Sequence, residues 1–535
     1  MPRLFIDNRE VEVPVGSTIL DAAQKLGIEI PTMCFLGGYE PSTSCMVCLV
    51  EVEGKNGLLP SCGTVAEDRM RVHTGSEQVR QARKAALELL LSDHLGDCMG
   101  PCQVTCPAGM DIPLMIRQIA AGRLRDAIVT VKKDIALPAV LGRICPAPCE
   151  RACRRAEFDE PVSICLLKRY VADADLDSER PYLPACRPSK HKRVAIVGAG
   201  PAGLAAAYYL TQKGYNCMIF DEHDKPGGML RYAVSEQKLP RDVLDKEIDT
   251  ILKLGVEFRG GTRIGGTLSM KDLRDDFEAV FAAVGQLKRG DAELLGLETG
   301  PHGISINTRT YETNIRGVFA GGDAVRARRL TVRAVADGKE AAASVDQYLS
   351  AQAIQGPIKP FNTRIGKLAD DEIDRFMAGV SRTARTKPSG RGGGFTDEQA
   401  RSEAKRCLHC DCRKAQDCRL RQYAQDYSAK PGRYKSRGVG AEGQISRRLF
   451  VQQDQHPEII YEPGKCIDCG LCVKIAAGAR EQLGLTFIGR GFDVRVAVPF
   501  DASLAQALQR TAAQCVAACP TGALAFKDAV HPDQR

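Results

Sequence analysis

The chain has no tryptophan, and phenylalanine, tyrosine and tryptophan together make up 5% of its 535 residues. Its formal net charge of +8 is dispersed among 66 acidic residues. With no aromatic interleaving and no helix-turn-helix pattern, that charge reads as a solvated surface and not as a nucleic-acid face. No apolar run approaches the roughly 18 residues of a membrane span. The opening Met1-Pro-Arg-Leu-Phe-Ile enters a strand-like alternation instead of a signal peptide, so a cytoplasmic protein is expected. There is no Ser-His-Asp, H-E-x-x-H or Walker set to argue for hydrolysis or phosphoryl transfer. What the chain has in quantity is cysteine, 22 residues clustered at short spacings. In a reducing compartment such clusters are metal ligands before they are disulfides. A chain this long exceeds the roughly 250 to 300 residues at which single cores stop growing, so several domains are expected.

The stretch Val194-Ala-Ile-Val-Gly-Ala-Gly-Pro-Ala-Gly-Leu204 reads as a buried strand, a glycine turn and an apolar helix. Gly198 permits the tight turn, Gly200 lets the backbone approach a pyrophosphate at the helix N-terminus, and Gly203 lets helix and strand pack closely. A second strand, Cys217 to Phe220, ends in Asp221, placed to accept a hydrogen bond from a ribose hydroxyl. Farther on, Gly317-Val-Phe-Ala-Gly-Gly-Asp323 precedes a helical run from Thr331, and Lys225-Pro-Gly-Gly-Met-Leu-Arg231 lies between the two motifs.

Taken together, these three motifs resemble those of the two-dinucleotide-binding flavoproteins, specifically the small subunit of glutamate synthase and the flavin half of dihydropyrimidine dehydrogenase, over roughly residues 98 to 350. The resemblance implies a Rossmann-like FAD domain with Gly198, Gly200, Gly203, Asp221, Gly228, Met229, Gly322 and Asp323 at the cofactor, Asp323 holding the ribityl chain. In that family an NAD(P)H domain lies between the strand matching Ala279 to Gly285 and the Gly-Gly-Asp motif. Here only Gln286 to Ala320 intervene, without a second glycine fingerprint, and one βαβ unit alone needs about 30 residues. FAD without a nicotinamide domain is the expectation.

Residues 3 to 13 alternate as a hairpin about Asp7-Asn8, and Ser17 or Thr18 caps a helix from Ile19 to Leu26 that stops at Gly27. Cys34, Cys45, Cys48 and Cys62 follow. Their C-x10-C-x2-C-x13-C spacing resembles the [2Fe-2S] β-grasp domain of the complex I 75 kDa subunit and of the iron-only hydrogenases. A structural zinc site also takes four cysteines.

After a helical segment from about Ser76 to Leu91 come His94, Cys98, Cys102 and Cys106. From Cys102 onward, through Cys145, Cys149 and Cys153, the resemblance is again to the glutamate synthase small subunit, whose helical domain holds two interleaved [4Fe-4S] clusters. It assigns Cys106, Cys145 and Cys149 to one and Cys102 and Cys153 to the other, although the loop before Cys149 is two residues shorter than in the family. For the first cluster's fourth ligand, Lys168 cannot serve because an ammonium has no lone pair, and Cys165 is the nearby choice. Cys98 is the natural third ligand of the other cluster. His94 is either its fourth or a capping residue.

The basic, glycine-rich stretch from Arg382 to Gly394 reads as a loop or linker. Cys407, Cys410, Cys412 and Cys418 come next and allow two readings: an independent [4Fe-4S] cluster, which is preferred, or Cys407 and Cys410 completing the cluster of Cys102 and Cys153. Cys466, Cys469, Cys472 and Cys519 look like one cluster of a bacterial two-cluster ferredoxin. The second cluster's positions read Ala476, Gln509 and Ala512, which leaves Cys515 as a buried relic. Cys186 and Cys217 have no ligand partners in sequence.

The expected fold is a multi-domain α/β and α+β assembly: a β-grasp domain over 1–78, a helical iron-sulfur domain over 79–190, an FAD domain over 191–355, a linker and Cys-rich segment over 356–455, and a ferredoxin-like tail over 456–535. The expected cofactors are FAD, one [2Fe-2S] cluster and about four [4Fe-4S] clusters. The expected function is that of an electron-transfer subunit in a redox complex whose other subunits hold NAD(P)H or a terminal metal, with ferredoxin as a further partner. A self-sufficient reductase and a redox-silent scaffold are the alternative readings.

Overall fold

A computed structural model describes residues 1–266, 268–287, 294–326, 329–368, 370–434, 456–491 and 494–527. The chain divides into two compact units: Met1–Met99, Pro360–Ala378 and Cys410–Arg535 form the first, Gly100–Lys359 and Gly379–His409 the second. No helix among the described residues is long and apolar enough to cross a membrane.

The first unit opens with β1 (Arg3–Ile6) and β2 (Arg9–Glu12), paired antiparallel. Asp7 and Asn8 both carry positive φ, as a two-residue type I′ hairpin demands. The Thr18 hydroxyl accepts from the Asp21 amide at 3.2 Å and caps α1 (Ile19–Lys25), a cap worth about 1 kcal/mol. β3 (Leu49–Val52), β4 (Leu58–Pro60) and β5 (Arg71–His73) complete a sheet in the order β2-β1-β5-β3-β4. Its inward face places Leu4, Ile6, Val50 and Val72 against Ile19, Leu20 and Ala23, the alternation that a half-buried strand requires. α2 (Glu77–Asp93) buries Val79, Ala86, Leu87 and Leu91 along one stripe and packs on β3 and on the helix Arg419–Asp426. Farther along, strands Ile459–Tyr461 and Leu524–Phe526 pair antiparallel over the helices Leu471–Gly478 and Ala512–Ala518.

The second unit begins with six helices: α3 (Pro101–Thr105), α4 (Ile112–Ala120), α5 (Leu124–Asp134), α6 (Pro138–Ile144), α7 (Pro148–Arg151) and α8 (Ile164–Leu176). A parallel sheet follows, with β6 (Arg193–Val197), α9 (Pro201–Gln212), β7 (Asn216–Phe220), β8 (Glu257–Arg259) and β9 (Ala279–Ala282). Strand Val318–Ala320 pairs with β9, which gives the order 318–320, β9, β6, β7, β8. Between β9 and that strand, the described residues include a hairpin of two-residue strands, Thr299–Gly300 and Gly303–Ile304. Residues 288–293 lie outside the described residues.

The stretch read as a linker is divided between the units, and its described parts are packed. Within the second unit the helix Asp397–Ala404 lies on α4 and α8. Glu403, fully buried, accepts from Ser163 N, Thr386 N and the Arg406 guanidinium, each at 2.8 Å. The basic, glycine-rich stretch is irregular as expected, yet Arg385 within it donates to Ser163 Oγ at 2.7 Å and to Glu150 at 2.5 Å. Composition suggested a tether because basic, glycine-rich sequence is usually solvated. Here the half-buried Glu150 and the buried Glu403 receive it. The later part of the expected linker, 435–455, lies outside the described residues.

Candidate functional site

The glycine turn in the second unit is specified by its backbone. Gly198 has φ +106°, and a Cβ there would collide with the Ala283 carbonyl oxygen. A Cβ on Gly203 would collide with the Gly198 carbonyl, and one on Gly338, in the helix Thr331–Leu349, with the Ala202 carbonyl. Gly200 is different: it caps α9 in an extended conformation, and a Cβ there would meet nothing within 4 Å. The turn is thus closed behind and open in front, the shape that a pyrophosphate at a helix N-terminus needs. Gly228 closes one side, where a Cβ would come 2.8 Å from Gly200 Cα, and the exposed Met229 begins the next short helix.

Asp221 is buried at the end of β7. One carboxylate oxygen accepts from Ala199 N at 2.6 Å and the other from His223 N at 2.9 Å, so the acid is fixed against the turn. Gly322 has φ +72° and would meet Ala202 Cβ at 2.9 Å if substituted. The Asp323 carboxylate accepts from Arg329 N at 3.2 Å. Sequence reasoning missed Asp337, a buried acid that accepts from Tyr311 OH and Arg333 Nε, both at 2.9 Å, and from Gly322 N at 3.2 Å. It ties the Gly-Gly-Asp turn to the helix that follows.

These geometries separate two substitutions. Gly203→Ala should lose bound flavin together with thermal stability. Gly200→Ala should fold normally, because its backbone suits alanine, and lose flavin alone. Flavin-to-protein absorbance ratios and melting temperatures of the two variants check this.

None of the cysteines is paired in a disulfide. In the first unit Cys34, Cys45, Cys48 and Cys62 are buried, with Cys48 Sγ and Cys62 Sγ 3.3 Å apart. A hydrogen bond from Cys45 holds Cys34 down to about 5, and one from Cys62 holds Cys48 down to about 6. A lowered thiol favours the thiolate, the form that binds metal. Cys466, Cys469, Cys472 and Cys519 line a single cavity with Tyr461, Val496 and Thr521. Asp468 N donates to Cys466 Sγ at 3.4 Å, a backbone N–H to sulfur bond of the kind that tunes iron-sulfur sites. Cys515 is fully buried with its thiol toward the Cys472 carbonyl, 3.8 Å away. It shares the apolar core with Ala476 and Ala512.

In the second unit α3 packs on α7, which interleaves the segments of Cys102 and Cys106 with that of Cys149. A hydrogen bond from Cys165 holds Cys145 down to about 6, whereas burial pushes Cys149 up to about 12. Lys168, dismissed as a ligand, is buried among these thiols. Burial alone would lower it, but the charges of Cys165, Cys145, Cys106 and Cys149 outweigh that and hold the ammonium above its ordinary value. A buried positive charge favours the more negative, reduced state of a cluster. Lys168→Met should therefore lower the potential of one [4Fe-4S] centre without losing iron, as spectroelectrochemical titration will reveal.

Cys407 also lies in the second unit, and a pair of arginines seats it. Arg155, two residues after Cys153 and fully buried, donates to the Arg406 carbonyl at 3.1 Å and to the Ser381 carbonyl at 2.9 Å. The Arg406 guanidinium reaches back to the Glu160 carbonyl at 2.9 Å. His409 N donates to Cys407 Sγ at 3.4 Å. Cys98, Cys412 and Cys418 lie instead in the first unit, and Cys412 N donates to the Cys98 carbonyl at 3.3 Å. His94 is buried at the C-terminal end of α2. Cys186 is exposed, and Cys217 is packed in β7. No three His, Cys, Asp or Glu side chains among the described residues converge as a lone metal ion requires. A cluster of several irons and sulfides spaces its ligands more widely, and the buried thiols, with N–H groups on their sulfurs, suit that chemistry.

Comparison with known proteins agrees. Residues 2–77 match a 2Fe-2S iron-sulfur cluster binding domain, 91–180 the dihydropyrimidine dehydrogenase domain II with its 4Fe-4S cluster, and 175–338 the pyridine nucleotide-disulphide oxidoreductases. The chain is 40% identical over 208 residues to the NADPH-Fe(3+) oxidoreductase subunit beta of Geobacter sulfurreducens, covering 38% of this chain and 31% of that one. It is 41% identical over 206 residues to the NADP(+)-dependent formate dehydrogenase subunit beta of Moorella thermoacetica, covering 35% and 29%. To the glutamate synthase [NADPH] small chain of Mycobacterium tuberculosis it is 39% identical over 203 residues, covering 38% and 42%. The chain thus spans less than half the length of each of these relatives. A solved NAD+-reducing [NiFe]-hydrogenase aligns along 99% of the chain and 89% of its own at 11% identity, with a TM-score of 0.35, too low to bear on the argument. By its matched segments and their order, the chain fits a fused FAD/iron-sulfur oxidoreductase.

Proposed function

We propose that the chain is an electron-transfer subunit of a cytoplasmic redox complex, carrying electrons between a partner subunit and ferredoxin-like carriers. The observation that supports this best is the continuity of buried thiols. In the first unit Cys34, Cys45 and Cys418 belong to one hydrophobic cluster, against which Cys469 packs. Three groups of proposed ligands thus share one water-excluded core. In the second unit the thiols of the helical segment pack against the same core as β6 and α9, the elements of the glycine turn.

The assigned centres are one FAD, one [2Fe-2S] and four [4Fe-4S] clusters. FAD exchanges two electrons with one partner and single electrons with another, and the clusters carry single electrons. The chain's own residues bind and orient. Gly200 would let the pyrophosphate approach the N-terminus of α9, Gly198 and Gly203 would shape the turn behind it, Asp221 would face the ribose and Asp323 the ribityl chain, and Asp337 holds the second turn in place. Cys106, Cys145, Cys149 and Cys165 take one cubane. Cys102, Cys153 and Cys407 take another; Cys410 falls in the first unit and is given to no cluster here. Cys466, Cys469, Cys472 and Cys519 take a third. The Geobacter and Moorella relatives are named as subunits acting with NADPH or NADP(+). We read the partner here in the same way, as a subunit that holds the nicotinamide or a terminal metal. Stepwise dithionite titration of the anaerobic protein should reduce every centre reversibly. Centres that stay silent would make the chain a scaffold.

A further inference from the structure

Cys412 and Cys418 lie outside every matched family segment, and sequence spacing groups them with Cys407 and Cys410. The structure gives them a different neighbour. The segment after α2 is pinned within the first unit at several points: Leu95 N donates to the Gly464 carbonyl at 2.6 Å, Thr363 Oγ1 to the Gly96 carbonyl at 2.6 Å, and Ile365 N to the buried Asp97 carboxylate at 3.0 Å. Met99 N donates to Asn362 Oδ1 at 3.0 Å. This presents Cys98, whose sulfur lies 3.4 Å from Thr363 Oγ1, to the chain at Cys412, where the backbones meet at 3.3 Å. From the other side Leu420 N donates to the Pro520 carbonyl at 3.2 Å and Arg421 N to Cys418 Sγ at 3.5 Å. Gly522 leaves space for the Cys412 sulfur, which a Cβ there would strike. Cys98, Cys412 and Cys418 are all buried, and Cys418 is close enough to feel the charges of both other thiols.

We infer that Cys98, Cys412 and Cys418 are ligands of one [4Fe-4S] cluster, separate from the cluster of Cys102, Cys153 and Cys407, with His94 completing the set. Three buried cysteines brought together from distant parts of the chain supply sulfur ligands of the kind a cubane takes. Buried His94, four residues before Cys98 in the same pinned segment, would bring a ring nitrogen as the fourth ligand. Its imidazole leaves this centre one negative charge short of an all-cysteine cluster, which raises its potential. The inference rests on the electron-carrier reading only in that the chain holds clusters at all.

The test is the iron and EPR content of the full chain, purified anaerobically, with flavin content as the control for folding. Cys98→Ala, Cys412→Ala and Cys418→Ala should each lose about four irons and the same EPR signal. The double variant Cys98→Ala/Cys418→Ala should still lose about four, whereas Cys98→Ala/Cys153→Ala should lose about eight. Where an alanine variant does not accumulate, Cys98→Ser and Cys418→Ser should perturb one common signal. His94→Cys should keep that signal and lower its potential. A loss of about eight irons in Cys98→Ala/Cys418→Ala, or of only about four in Cys407→Ala/Cys418→Ala, would overturn the grouping. An unmoved potential in His94→Cys would remove the histidine from it. Absence of iron from the wild-type chain would instead sink the electron-carrier reading itself.

Discussion

Neither NADH nor NADPH should bleach the flavin of the isolated chain on the timescale of turnover, although dithionite or a low-potential ferredoxin should bleach it readily. A nicotinamide dinucleotide needs its own pyrophosphate turn at a helix N-terminus. We assign the turn from Gly198 to Gly203 to FAD; Asp221, bonded to Ala199 N, and the Gly322 turn that closes against Ala202 fix its shape. Between β9 and the strand Val318–Ala320, the strands among the described residues are those of a short hairpin, and the sequence there carries no second glycine fingerprint. Anaerobic mixing with each nucleotide under flavin absorbance checks this. Bleaching within milliseconds would place the protein among ordinary NAD(P)H reductases. If the complex uses NAD(P)H, adding the partner subunit should restore the reaction.

The second large effect separates two cysteines only four positions apart. Cys519→Ala should remove one whole [4Fe-4S] signal, because Cys519 lines the same cavity as Cys466, Cys469 and Cys472. Cys515→Ala should leave every signal in place. The Cys515 thiol is fully buried in the apolar core with Ala512 and Leu508, and burial pushes it up to about 11, as for a neutral packed thiol. Its loss should cost stability through a small cavity, about 1 kcal/mol, and no iron. EPR of the reduced variants and their iron content distinguish the two outcomes.

The parts of this molecule readable in its sequence are those where a backbone or a spacing leaves no choice. Gly198 and Gly203 are dictated by carbonyls they would otherwise strike, and Asp7-Asn8 by a turn that needs positive φ at both positions. The cysteines announce iron-sulfur chemistry, and the multi-domain α/β and α+β architecture follows from motif order. Local spacing does not reveal which cysteines meet. Cys407 and Cys412 are five positions apart and fall in different units, while Cys98 and Cys412 are far apart in sequence and share a backbone hydrogen bond. Arg155, Arg406 and Glu403 make the difference. Buried charges that pair across distant segments look, in sequence, like any solvated charge. Lys168 is similar: its inability to ligate iron is plain from its chemistry, but its burial among four thiols is a tertiary fact.

The account stands most directly on electron exchange between the clusters and the flavin. In an anaerobic stopped-flow experiment, substoichiometric reduced ferredoxin is mixed with the oxidised chain while flavin and cluster absorbance are followed together. The account predicts that clusters bleach first and that the flavin then gains their electrons within the same shot, and that Cys418→Ala and Cys519→Ala slow this second phase. Flavin reduction at an unchanged rate in both variants, or clusters that stay reduced beside an oxidised flavin, would contradict it.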